Sequence, residues 1–311
     1  MSNILVTGGA GYIGSILVPS LLSNNHKVTV IDNFMYKQSS LASWIRDKNL
    51  NLIFGDVRDK NLMAKYIKKS DVIIPLAAIV GAPACERDPK LAESINKDSL
   101  LWLLSQLSKE QQIIMPTTNS AYGSGDADNF CDEKSALNPI SQYAKDKVIV
   151  ENALLELENA TSFRLATVFG ISPRMRLDLL VNNFTFRALV DKFVVLFEGN
   201  FKRNYIHLLD VVQAFELALR NPNSFRGEIF NVGLSNANIS KIDLCKEIKK
   251  QLPDFIFLEA PLGKDPDQRN YLVSNKKIEL LGFKPEISLQ EGIIELVKGL
   301  KMYSLSPFTN L

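Results

Sequence analysis

Histidine and cysteine are scarce in this sequence. Two histidines (His26, His207) and three cysteines (Cys85, Cys131, Cys245) stand among 311 residues, none at the spacing of a zinc finger or a CxxC redox pair. No metal site and no disulfide framework are expected, and a reducing, cytoplasmic setting follows. A charge excess is missing too: 36 Lys and Arg stand against 34 Asp and Glu, a formal +2. That balance offers no footprint for nucleic acid or a membrane surface. Long apolar runs are also absent. The longest, residues 72–84, is too short for a membrane span and is interrupted by Pro75 and Pro83. The chain enters an apolar segment at Ile4 with no basic stretch, long apolar stretch and cleavage site, so export is not expected. With 46% apolar and 23% charged residues the chain reads as globular, and its length suits roughly two domains.

What is present is an alternation of short β-branched runs with helical patterns, the signature of βαβ units and a parallel sheet. Strands are expected near 4–7, 27–31, 50–54, 72–76, 112–115 and 160–168, and helices near 11–23, 61–68, 88–107 and 142–157. Six such strands with crossovers predict an α/β fold, a Rossmann-type doubly wound parallel sheet. After Phe169 the texture changes: a helix and a strand (228–232) return within 204–231, and Pro253, Pro261, Pro266 and Pro285 punctuate short elements. The expected division is a nucleotide-binding domain over 1–170, rejoined by 206–234, and a smaller interleaved C-terminal substrate-binding domain over 171–205 and 235–311.

The first strand runs into Gly8-Gly9-Ala10-Gly11-Tyr12-Ile13-Gly14 and then an apolar helical pattern. In that strand-turn-helix setting Gly8 permits the tight turn, Gly11 the approach of a pyrophosphate, and Gly14 close packing of helix on sheet. The helix N-terminus faces the negative charge. Asp32 ends the second strand. A carboxylate there accepts the adenosine ribose hydroxyls and repels a 2′-phosphate, which selects NAD over NADP, although Lys37 follows closely. Taken alone, an Asp closing a strand reads as readily as a turn. Asp56 and Val57, after the third strand, have the same two readings: an adenine contact or a simple turn.

Tyr143 and Lys147 lie four apart in a helical segment, so both project from one face. A phenol with an ordinary pKa of about 10 is a poor base at neutral pH, and a neighbouring ammonium favours its phenolate. One charge pair at about 4 Å and an effective dielectric of about 20 supplies about 4 kcal/mol, enough for about three pKa units. A YxxxK string is common on exposed helices. This one follows Pro116-Thr117-Thr118-Asn119-Ser120-Ala121-Tyr122-Gly123, hydroxyls at the carboxyl edge of a parallel sheet, where open α/β sheets bind ligands.

Together these residues resemble the extended short-chain dehydrogenase/reductase family, the NAD-dependent nucleotide-sugar epimerases and dehydratases. The resemblance covers essentially the whole chain: Gly8, Gly11, Gly14, Asp32, Asp56, Leu76-Ala77-Ala78, Thr118 with Tyr122-Gly123, Tyr143 and Lys147, the segment 164–170, and Arg203-Asn204-Tyr205-Ile206-His207. It implies NAD as cofactor, held also through Tyr12, Ile13, Asn33, Val57 and Leu76-Ala77-Ala78. It further implies that Tyr143, as phenolate, removes the proton of a sugar C4 hydroxyl while hydride passes to NAD. Thr118 would orient that hydroxyl, and Lys147 would hold the ribose and lower the phenol pKa. The departures from the family pattern narrow the chemistry. The similar 4,6-dehydratases carry Asp-Glu after this Thr, whereas Asn119 and Ser120 are no acid or base at neutral pH, so elimination of water is not expected. Where the similar 3,5-epimerases place a Cys, Ser120 is a poorer proton carrier. Redox at one carbon remains, as net dehydrogenation or as 4-epimerisation.

On the substrate side, the resemblance implies diphosphate contacts from Arg203 and Arg269 and a phosphate or base-proximal contact from Asn183. Guanidinium groups suit a diphosphate because they bind bidentately and stay charged. Thr118, Asn119 and Ser120 would face the sugar. Arg174 and Arg176 are further candidates, with a solvated loop face as an equal reading. His207 reads as a packed residue and His26 as an exposed one. Residues 119–123, 164–176 and Asp265-Pro266-Asp267-Gln268-Arg269-Asn270-Tyr271 look like the GDP-D-glycero-α-D-manno-heptose 4-dehydrogenases of bacterial capsule synthesis. That likeness implies C4 oxidation of a GDP-heptose or a GDP-mannose-like sugar. A UDP-glucose-type 4-epimerase is the rival within the family, and a non-catalytic NAD-binding module the rival outside it. The apolar residues Leu100-Leu101-Trp102-Leu103-Leu104, with Val148, Val150, Leu154 and Leu155, suggest a homodimer through two helices, as family members form. Burial within one chain explains them equally well.

Overall fold

The computed structural model describes residues 1–124, 130–260 and 269–304. The chain begins with β1 (Asn3–Thr7), α1 (Gly14–Ser23), β2 (Lys27–Asp32), β3 (Leu50–Phe54), α2 (Lys60–Ile67) and β4 (Val72–Pro75). Next come α3 (Ala82–Arg87), α4 (Pro89–Glu93), a π-helical turn (Ser94–Asp98), α5 (Ser99–Ser105) and β5 (Gln112–Thr118). The helix expected over 88–107 is observed over 89–105, running without a break through the π-helical turn. Asp88 caps α4 by accepting from the Leu91 N–H at 3.0 Å, and the π turn holds Asn96 inside. There the Asn96 amide accepts from the Ile79 N–H (2.9 Å) and donates to the Ile79 carbonyl (2.8 Å), which fixes the segment after β4.

The second half holds β6 (Phe130–Cys131), α6 (Gln142–Leu155), β7 (Ala160–Leu165), β8 (Thr167–Phe169), α7 (Leu180–Val190), β9 (Phe193–Leu196), β10 (Lys202–His207) and α8 (Leu208–Arg220). It closes with α9 (Pro222–Phe225), β11 (Glu228–Val232), β12 (Asn238–Ser240), α10 (Lys241–Gln251), β13 (Ile256–Glu259), β14 (Leu272–Val273), α11 (Lys276–Glu279) and α12 (Leu289–Ser304).

Seven strands pair in parallel in the order β11-β7-β5-β4-β1-β2-β3. The order reverses between β1 and β4, which sets a crevice at the carboxyl ends of those two strands. Both sheet faces are covered, and the strands read as continuous apolar runs for that reason. Along β1, Ile4 and Val6 join the core that contains Leu17 and Val18 of α1, while Leu5 joins Met63 of α2 and Val150 of α6 on the opposite face.

The strand expected over 160–168 breaks at Ala166, whose N–H donates to the Val232 carbonyl at 2.9 Å. β7 stays in the large sheet, whereas β8 pairs with β10, whose other neighbour is β12. The chain thereby leaves the large sheet at its carboxyl edge. One apolar cluster nevertheless holds both parts, running from Ile4 and Val30 to Val181, Leu244 and Ile293. Among the described residues no helix is long and apolar enough to cross a membrane.

Candidate active site

Gly8 ends β1 at φ +67, and a Cβ there would stand 2.6 Å from the backbone nitrogen of Ala77, just past β4. Only a residue without a side chain fits where the two strand ends meet. A Cβ on Gly14 would lie 2.4 Å from the Gly9 carbonyl oxygen. The turn therefore stays tight and brings the N-terminus of α1 to the point where the strand order reverses, a fit to a dinucleotide pyrophosphate. Asp32, 7% exposed, accepts from the N–H groups of Ala10 (3.0 Å) and Phe34 (2.8 Å) and from the Gln38 amide (3.3 Å). A carboxylate offers about four acceptor sites, so the candidate ribose ligand also fixes the glycine turn. Beside it Asn33 bonds to Asp56, and Arg58 grips the Asp56 carboxylate through two contacts of 2.8 Å, which with burial opposing them hold it down at about 2. Val57 and Ile13 pack into the apolar clusters below, and Leu76 donates its N–H to the Thr7 carbonyl at 2.9 Å. The Tyr12 side chain turns inward, donating to the Gly170 carbonyl (2.7 Å) and accepting from the Asn182 amide (3.1 Å).

The reacting end is built on α6, capped by the Ser141 hydroxyl, which accepts from the Ala144 N–H. Lys147 is 4% exposed, and its ammonium stands 3.4 Å from the Pro116 carbonyl of β5, two residues before Thr118. The same helix packs on the turn Asn119–Tyr122. Thr118 donates to the Ser120 hydroxyl (2.8 Å) and accepts from the Ser120 N–H (3.0 Å). Arg269 reaches that same Ser120 hydroxyl. It is delivered there by a bridge between Asn270 and Ser124, and by the Asn270 side chain accepting from the Lys202 N–H at 2.9 Å. The Asn119 amide is 1% exposed and has no hydrogen-bond partner among the described residues, leaving its capacity for a ligand.

Burial pushes the Tyr143 phenol of the chain by itself up to about 12. The opposing charges are Arg176 and Arg269, and the Cys85 thiol beside the ring adds to the rise. Lys147 is itself pulled down to about 8 by burial of its ammonium. Desolvation disfavours the charged form of both groups and outweighs the gain from a single pair.

Arg203, on β10 and 3% exposed, and Arg269 both act on the Tyr205 phenol, so these two expected guanidiniums converge. Arg176, ion-paired with Asp178, faces Tyr143 and belongs to the reacting end. The Arg174 guanidinium lies 4.4 Å from the centre of the Tyr36 ring. Asn183 spends its amide on the Leu177 carbonyl (2.9 Å), while its neighbour Asn182 is the hub: it accepts from the Gly170 N–H (3.1 Å) and donates to the Arg176 carbonyl (2.9 Å). Residues 265–268 of the heptose-like segment lie outside the described residues. His207 is fully buried, accepting from the Leu209 N–H (3.3 Å) and standing 3.1 Å from the Glu295 carboxylate. His26 is half-buried and not exposed. Among the described residues no cluster of His, Cys, Asp and Glu could hold a metal.

Beneath Thr118 lies a network that the sequence reading missed. Glu151, 1% exposed, accepts from the hydroxyls of Thr117 (2.7 Å) and Ser162 (2.6 Å) and from Arg164 (2.6 Å). Arg164 in turn donates to the Tyr122 hydroxyl at 3.0 Å. The signal was present: Glu151 stands four past Lys147, on a helix face that also carries Val150 and Leu154.

Comparison with known proteins agrees with this geometry. Residues 4–233 match the NAD dependent epimerase/dehydratase family. The CDP-paratose 2-epimerase of Salmonella typhi is 27% identical over 327 residues, covering 93% of this chain and 96% of the relative. The UDP-glucuronic acid 4-epimerase of Bacillus cereus, solved with UDP-glucuronic acid and NAD, superposes with a TM-score of 0.86 at 25% identity, covering 97% and 99% of the two chains. The UDP-glucose 4-epimerase of Thermotoga maritima, solved with UDP-glucose, gives 0.83 at 28% identity over 97% and 99%. With its glycine turn at the switch-point crevice, and with a partly buried Tyr143 and a buried Lys147 one turn apart on α6, the chain belongs to the NAD-dependent epimerase/dehydratase family and is an NAD-using enzyme of the extended short-chain dehydrogenase/reductase type.

Proposed function

We propose that the protein oxidises the C4 hydroxyl of a nucleotide sugar, a GDP-heptose or GDP-mannose-like sugar destined for a capsule or other surface polysaccharide. The observation that carries C4 oxidation is the end of β5, where Thr118 is followed by Asn119 and Ser120 and no carboxylate, packed against α6 with its Tyr143 and Lys147; the GDP-sugar rests on the likeness of residues 119–123, 164–176 and 265–271. Bound NAD supplies the hydride acceptor and a positive nicotinamide ring. Tyr143 takes the hydroxyl proton, Thr118 orients that hydroxyl, and Lys147 holds the cofactor ribose. Arg176 and Arg269 offset the burial that keeps the phenol protonated. Arg203 and Arg269 take the diphosphate, Asn119 and Ser120 the sugar, and Asn183 supports the loop of Arg176. The adenosine lies on Asp32, Asn33, Asp56 and Val57. In this reading residues 171–205 and 235–311 hold the nucleotide sugar and the remainder holds NAD.

A 4-epimerase is the second reading, favoured by the names of the Bacillus cereus and Thermotoga maritima enzymes. The two share their first step and differ in whether the keto sugar leaves before hydride returns. Incubation with GDP-heptose, GDP-mannose and UDP-glucose, followed by mass and NMR analysis, separates them. A 4-keto product is expected. A C4-inverted sugar with no keto product overturns the dehydrogenase and leaves the epimerase.

A further inference from the structure

The segment after β8 is stitched to the glycine turn by buried hydrogen bonds. Tyr12 donates to the Gly170 carbonyl at 2.7 Å, the Ser172 hydroxyl donates to the Tyr12 carbonyl at 2.9 Å, and the Ser15 and Ser172 hydroxyls stand 2.8 Å apart. One contact in this seam lies at the surface: the Arg174 guanidinium over the ring of Tyr36, a residue 50% exposed.

Each partner is tied to the candidate NAD site, one to the glycine turn and the other to Asp32. The Arg174 N–H donates to the Ser172 hydroxyl (3.2 Å), and Ser172 holds the glycine turn at Tyr12. The Tyr36 N–H donates to the Gln38 side chain (3.2 Å), and Gln38 donates to Asp32 (3.3 Å). Further along the same loop Ser40 donates to the Ala10 carbonyl (2.7 Å). The contact therefore runs from the loop after β2 to the segment after β8, beside the glycine turn. A cation over a Tyr face is attracted by the ring quadrupole, and at an exposed site that attraction is modest enough to open thermally.

We propose that Arg174 and Tyr36 form a clasp over the adenosine half of the NAD site, and that its opening limits release of the dinucleotide. The buried stitches hold the segment in place, and the exposed aromatic contact is the part that gives way. The function of the clasp is to keep the cofactor resident, and it depends on NAD binding rather than on the identity of the sugar.

The test is the dissociation rate of NADH. Protein loaded with NADH is mixed with excess NAD, and the decay of bound-NADH fluorescence is followed for wild type, Arg174→Ala, Tyr36→Ala, Tyr36→Phe and the double Ala variant. Release is expected to quicken roughly fivefold in each Ala variant and no further in the double variant, because both remove one contact. Tyr36→Phe keeps the ring and should stay within about twofold of wild type. Arg174→Gln, which keeps much of the side-chain stem, replaces Arg174→Ala should the latter fail to fold. An unchanged rate in either single variant, multiplicative effects in the double variant, or a Tyr36→Phe rate equal to that of Tyr36→Ala overturns the clasp.

Discussion

Tyr143 and Lys147 are each driven toward the neutral form, the phenol up to about 12 and the ammonium down to about 8. Arg176 and Arg269 already pull the phenol down, so in the proposed mechanism the positive ring of bound NAD has to add the rest. Tyr143→Phe removes the proton acceptor and leaves the ring. Turnover should fall by about 10² or more, with NADH affinity by fluorescence titration almost unchanged; full activity in that variant defeats the mechanism. The depressed Lys147 also makes a stability prediction. Below about 8 it is charged in folded and unfolded chains alike, and the folded chain bears the whole desolvation cost. Between about 8 and the ordinary 10.5 the folded chain has lost a proton that the unfolded chain keeps, so this contribution to stability rises with pH. Lys147→Met lacks that rise. Its lead over wild type in urea midpoint should shrink between about pH 7.5 and about pH 10, and a constant lead would contradict a buried, depressed lysine.

The turn between β1 and α1 is held by glycines that leave no room for a side chain. Gly8→Ala would set a Cβ 2.6 Å from the Ala77 backbone at a residue held at φ +67. A stability loss of about 1–3 kcal/mol in urea denaturation is expected, with NADH affinity reduced more than about tenfold as the strand ends are pushed apart. Unchanged affinity would remove the glycine turn from the cofactor site. Elements of this kind were legible because their signals are local. Apolar runs marked strands buried on both faces, and the glycine spacing marked the turn. The break at Ala166 was not legible, since one apolar stretch serves both β7 and β8 and only the pairing with β10 divides them. The π turn at Asn96 was hidden for a similar reason: its partner is the Ile79 backbone, seventeen positions away.

One large core joins one face of the large sheet to the chain beyond it, and a second lies on the opposite face. Its apolar surplus on α5 and α6 goes largely inward: Leu100, Leu103, Leu104, Val150 and Leu154 are buried within the chain. Ile149, 47% exposed, and the partly buried Leu101 and Trp102 remain on those two helices. A homodimer through them remains our proposal, and light scattering at micromolar concentration should give twice the chain mass; a monomer mass contradicts it.

The sequence by itself determined the α/β class and marked the glycine turn, Tyr143 and Lys147 as candidates, because each is a pattern at short spacing, while Thr118 entered through the family resemblance. The tertiary structure decided the rest. It drew Arg176 and Arg269 to Tyr143, sent Arg174 to Tyr36, paired Glu151 with Arg164, and buried the phenol. These depend on burial and on distances between residues far apart in the chain, and both exist only once the chain has folded.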